Sequence, residues 1–211
     1  MTRSRTHAVL WVVVGLAGAG ALCGAVWAWL APPIHGVVAL TRSNERVKAY
    51  LGNEADHFFT AAALLVGLLS VLAVVAAVAV WQWRRHRGPV MMAALCLGSV
   101  TASAVATGVG AALVRWRYGH IDVATVPVSE QNRVHYVTEA PAVFFGHTPL
   151  QVALTLLFPA AVAAIVYVLG AVSTPRDDLG AWPPVEPAAP ATGRTATEVD
   201  APPVAPSSPS P

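Results

Sequence analysis

Five of the seven histidines, His35, His57, His120, His135 and His147, fall in two segments, 31–57 and 115–149, that lie between long apolar runs. The same segments carry Glu45, Glu54, Asp56, Asp122, Glu130 and Glu139. Imidazole nitrogens and carboxylate oxygens are ordinary zinc ligands, and a zinc site draws three or four of them. The candidate ligands are therefore His57 and Glu54, three apart in sequence, His120 and Asp122, two apart, and His135 and His147. Neither close pair matches a defined pattern such as H-E-x-x-H. The plainer reading of these residues is that they cap helices and sit at an interface. No glycine-rich phosphate loop, nucleophile elbow or CxxC pair is present, so the sequence predicts no cofactor and leans away from an enzyme.

The elements that must position these residues are legible from composition. The chain has 211 residues, of which 55% are hydrophobic and 11% charged. A soluble surface needs roughly 25% charged residues, so the composition excludes an ordinary soluble domain. A net charge of +2 gives no electrostatic footprint for nucleic acid. Four stretches, 8–30, 58–81, 90–114 and 150–172, exceed the span of about 20 apolar residues that crosses a bilayer. None contains Asp, Glu, Lys, Arg or His. The expected fold is an all-α membrane protein of four transmembrane helices with a small β-containing extracytoplasmic cap.

Several helix starts are marked. Thr148-Pro149-Leu150-Gln151 reads as a capping box with proline at the first helical position. Asn53 is expected to cap the second span and Pro89 to open the third. Pro159 interrupts the fourth, freeing the Thr155 carbonyl. In the third span Ser99, Ser103 and Thr107 share a face beside a stripe of Gly98, Ala102, Ala106 and Gly110. The first span offers Gly20 and Gly24, with Gly15 and Gly18 nearby. Small stripes let helices approach closely, and hydroxyls can bond across the contact. The expectation is packing within the bundle, with a homo-oligomer or partner helix as the sharper alternative. Cys23 and Cys96 would lie about 15 Å apart in depth, too far for a disulfide.

Basic residues orient the spans. Arg3, Arg5, Arg84, Arg85 and Arg87 crowd 15 positions, whereas the two long segments hold six basic residues in 62. Both termini and the short loop 82–89 are therefore placed in the cytoplasm of a bacterial inner membrane, although Arg115 and Arg117 argue against it. Trp27, Trp29 and Trp116 are expected in the outer aromatic belt. Outer loop 31–57 reads as a hairpin of strands over 35–40 and 47–51, and outer loop 115–149 as strands over 121–126 and 134–137. An isolated hairpin is marginal, so the two loops are expected to combine into one cap. Ten of the seventeen prolines follow Ser173, and 173–211 reads as a disordered, Pro/Ala-rich cytoplasmic tail separate from the four-span domain 1–172.

The order of spans, the segment Asn53-Glu54-Ala55-Asp56-His57-Phe58-Phe59, the inner Trp81-Gln82-Trp83-Arg84-Arg85-His86-Arg87-Gly88-Pro89 and the 135–149 segment together resemble a family of mycobacterial and related actinobacterial membrane proteins known only as a domain of unknown function. The resemblance covers about 8–183 and implies an actinobacterial cell membrane. It supplies no activity and no functional residue. The function expected is a non-enzymatic accessory or interaction protein of the cell envelope. It would work in contact with the lipid bilayer and with a membrane-protein partner or a second copy of itself. A ligand- or metal-binding enzyme subunit at the outer face is the alternative, and a small channel or carrier the third.

Overall fold

The computed structural model describes residues 2–119 and 122–175. The elements run α1 (Thr2–Leu30), β1 (Ile34–Leu40), β2 (Arg46–Tyr50), α2 (Asp56–Gln82), a short 3-10 turn (Arg84–His86), α3 (Pro89–Tyr118), β3 (Val134–Glu139) and α4 (Pro149–Val172). All four α-helices are long and apolar enough to cross a membrane. The expected tail lies almost wholly outside the described residues.

Each helix extends past its apolar stretch until something stops it. α3 continues four residues beyond the expected end, to Tyr118, and is closed by Gly119 at φ 71°. The Gly119 N–H returns to the Arg115 carbonyl at 2.8 Å, a left-handed closure that favours glycine. Pro89 opens α3 as expected. At α4 the capping box forms, with the Thr148 hydroxyl accepting from the Gln151 N–H and the Gln151 side chain accepting from the Thr148 N–H. α2 departs from expectation. Its N-cap is Ala55, with no side-chain cap, because residues 51–55 wind through turns of their own and Asn53 contributes only its carbonyl, to the Asp56 N–H.

α1 packs most extensively on α3, and α4 lies against both α2 and α3. The close approach depends on Gly20 and Gly24, where a Cβ would collide with the Ala102 and Ala106 backbone. A Cβ at Gly98 would meet the Leu16 side chain at 2.7 Å, and one at Gly110 the Trp27 ring at 2.8 Å. The sequence-derived small residues Gly20, Gly24, Gly98, Ala102, Ala106 and Gly110 therefore all face the α1–α3 seam. Gly15 and Gly18 face open space. The hydroxyls do not bridge helices. Ser99, Ser103 and Thr107 are buried, but each donates to a carbonyl of its own helix, on Leu95, Ser99 and Ala104 at 2.8–2.9 Å. A buried hydroxyl in a helix can back-bond to a carbonyl three or four residues earlier, which is within its reach without a neighbouring helix.

Two apolar clusters fill the bundle. One gathers Leu16, Ala73, Ala77, Leu95 and Tyr167, and the other, nearer the sheet, gathers Trp27, Leu65, Leu69, Ala106 and Val114. Trp27 is completely buried, which corrects its assignment to an exposed belt, whereas Trp29 and Trp116 are strongly exposed. At the end of the bundle away from the sheet, the Gly88 N–H donates to the Tyr167 hydroxyl at 3.0 Å. Trp81 meets the Tyr167 ring edge-on at 5.1 Å, and Arg87 stacks over Trp81 while donating to its carbonyl at 2.8 Å. These contacts fix the short α2–α3 connection.

The strands form one antiparallel sheet in the order β2-β1-β3. β1 is the centre, paired from Gly36↔Tyr50 to Leu40↔Arg46 on one side and from Ile34↔Glu139 to Ala39↔Val134 on the other. Both loops thus contribute to a single sheet. Three strands sharing a face can hold where a lone hairpin is marginal. The expected strand over 121–126 is absent from its described part. Asp122 accepts from the Ala124 N–H at 2.9 Å and its carbonyl accepts from Thr125, which folds the segment into a turn. Arg46 clasps that turn by donating to the Val123 carbonyl at 3.0 Å and to the Ala124 carbonyl.

Candidate functional site

Side chains alternate across the sheet. Ile34, Gly36 and Val38 of β1 share one face with Lys48 and Tyr50 of β2 and with His135, Val137 and Glu139 of β3, by their pairing. Ile34 and Val38 are fully buried, so this face looks toward the helices. Gly36 leaves room above the central strand, and Lys48 reaches toward Glu139 across it to form an ion pair. Burial pulls the Lys48 pKa down, but the hydrogen bond and charge of Glu139 outweigh it and hold the ammonium above the ordinary lysine value. Tyr50 turns the edge of its ring to Phe58 at the start of α2, with centroids 5.3 Å apart.

Between this face and the helix ends lies a half-open cavity of about 1070 Å³. Lys48, Tyr50 and Glu139 form its sheet wall, Phe58 and Arg115 come from α2 and α3, and Phe144, Phe145 and His147 come from the segment leading into α4. Phe145 is held by Phe59, with centroids 5.2 Å apart. A second cavity of about 270 Å³ shares Arg115, Phe144 and His147 and runs down α3 to Val114 and Ala111. The site is thus lined by aromatic and aliphatic side chains together with the cationic Lys48 and Arg115.

The residues singled out as candidate ligands do not converge. Glu54 and His57 do meet, together with His35. One Glu54 oxygen lies 2.9 Å from His57 Nδ1 and 3.2 Å from His35 Nδ1, and accepts from the His35 N–H at 3.0 Å. That backbone hydrogen bond is the main reason the Glu54 carboxyl sits below its usual pKa; desolvation opposes the shift, and the histidines assist it. His57 Nδ1 also lies 3.1 Å from the Pro33 carbonyl oxygen. The cluster ties the start of β1 to the start of α2. Asp122 is occupied in its turn, His135 belongs to β3, His147 lines the cavities, and His120 lies outside the described residues. Among the described residues, no group of three or more His, Cys, Asp or Glu side chains is arranged to hold a metal ion.

The sequence singles out His147 but not Arg115, Lys48 or Tyr50 as its partners in one place. The available signal was Arg115 itself, a cation at the end of a span where the charge rule did not call for one.

A family model described as a protein of unknown function (DUF2567) matches residues 16–181. The chain is 57% identical over 176 residues to the uncharacterized protein Rv1591 of Mycobacterium tuberculosis, covering 83% of this chain and 91% of the relative. It is 53% identical over the same length to the uncharacterized protein ML1222 of Mycobacterium leprae, covering 83% and 89%. No solved structure matches it.

Proposed function

Because the chain belongs to the family of proteins of unknown function DUF2567, we propose its activity from its own geometry: a non-enzymatic accessory protein of the actinobacterial cell envelope, acting through an extracytoplasmic cap. Both termini lie in the cytoplasm on this reading, following the crowding of Arg5, Arg84, Arg85 and Arg87 at the end of the bundle away from the sheet. The observation that carries the reading is the single sheet built from both loops. Its inner face turns Ile34 and Val38 toward the helices, and its second face leaves Val47, Val134 and Tyr136 exposed, Tyr136 at 70%. An ordered, partly apolar platform held on four spans suits protein contact, and His35, which shares this face, is engaged by Glu54 in tying β1 to α2.

A photo-crosslinking amino acid at Tyr136 tests this in cells. The expected result is a discrete adduct, either with a second copy or with one membrane protein, that is missing when the probe replaces Ser43 in the β1–β2 turn. No adduct at Tyr136, or the same smear from both positions, would overturn the reading.

A further inference from the structure

We propose that the paired cavities under the sheet hold an anionic phospholipid of the bilayer, its phosphate at Arg115 and His147 and an acyl chain running down α3 past Val114 and Ala111. The proposal rests on the reading of the four helices as membrane spans.

Depth supports it first. Arg115 lies 26 residues beyond Pro89, about 39 Å along α3 at 1.5 Å per residue. With the α2–α3 connection at one interface, that distance carries Arg115 across the hydrocarbon, about 30 Å thick, to the headgroup layer on the other side. Trp116, 88% exposed beside it, is the kind of residue that anchors at that level.

Charge supports it next. Three cationic or protonatable side chains, Lys48, Arg115 and His147, line the larger cavity, with one carboxylate, Glu139. Glu139 is already paired with Lys48. Arg115 has no acidic partner among the described residues, which leaves its positive charge for a ligand. A guanidinium binds a phosphate through two parallel charge-assisted hydrogen bonds.

Shape completes the case. Arg115 and His147 border both cavities, so the polar contact sits where the wide upper space meets the narrow lower one. The lower space is walled in large part by Ala111, Val114, Pro141 and Val143, whose side chains offer apolar surface to a chain. A headgroup above and a hydrocarbon chain below match this order of surfaces.

The test uses the full chain purified in mild detergent, with phosphatidylglycerol, phosphatidylcholine and glycerol 3-phosphate as probes and bound lipid read by native mass spectrometry. The expected result is retention of phosphatidylglycerol over phosphatidylcholine, weakened about tenfold in Arg115→Gln. Arg117→Gln, two residues along and outside both cavities, should bind as the unaltered protein does. Ala142→Trp should also lose the lipid by filling the cavities while leaving the charges in place. Equal retention of the two lipids, equal loss in Arg115→Gln and Arg117→Gln, unchanged binding in Arg115→Gln, or saturation by glycerol 3-phosphate alone would overturn the proposal. Thiol labelling in cells reports on sidedness independently, so a failed lipid test leaves the topology standing and a failed topology leaves the lipid result readable.

Discussion

Trp27 donates its indole N–H to the carbonyl oxygen of Ala61 at 2.7 Å, joining the end of α1 to the beginning of α2 inside the bundle. The same ring packs against Gly110 of α3, so one side chain of α1 engages two neighbouring helices. Trp27→Phe keeps much of the packing and loses the donor, and should cost about 1 kcal/mol. Trp27→Ala should cost about 3–5 kcal/mol through the cavity it leaves. Thermal unfolding in detergent checks both. Equal melting of the two variants would show that the ring is not a core element.

The α1–α3 seam gives a second test on a single helix. Gly24→Leu drives a side chain into the Ala106 backbone and should cost about 1–3 kcal/mol. Gly18→Leu enters open space and should be tolerated or mildly stabilising, since leucine is the better helix former. Equal melting temperatures for the two would mean that the seam opens freely.

Much of this fold is legible in the sequence, and the limits fall where contacts are distant in the chain. The Thr148–Gln151 box spans four residues and needs no tertiary information. The small stripe of α3 is visible because helical period alone places Gly98, Ala102, Ala106 and Gly110 on one side. Trp27 misleads because a tryptophan near a span end is equally compatible with a rim and a core until the neighbouring helix is placed. β1 becomes the central strand through a partner about 100 positions away, which no local pattern encodes. The stretch 122–125 has strand-like composition, but Asp122 and Arg46 hold it in a turn. The cavity is the least legible feature, since Lys48 of β2, Arg115 of α3 and His147 before α4 lie far apart in the chain.

The Glu54 cluster makes the junction between β1 and α2 sensitive to acid. The carboxyl titrates lower in the folded protein than in the unfolded chain, so the unfolded state takes up protons first as pH falls. The stabilisation is complete at neutral pH, begins to fade in the ordinary carboxylate range and is gone below the lowered folded value. Proteolysis of the 31–57 segment should therefore accelerate on acidification. Glu54→Gln should be cut faster at neutral pH and show a flatter acid dependence. An unchanged pH profile in Glu54→Gln would assign the sensitivity to other groups.

The most direct test of the account as a whole asks on which side of the membrane the sheet lies. Single cysteines at Ser43, Ser129 and Ser208, in a chain whose Cys23 and Cys96 are replaced, can be probed in intact cells with a membrane-impermeant thiol reagent. The account predicts labelling at Ser43, in the β1–β2 turn, and at Ser129, in the loop before β3, with Ser208 labelled only after lysis. Labelling of Ser208 in intact cells, with Ser43 and Ser129 protected, would contradict it.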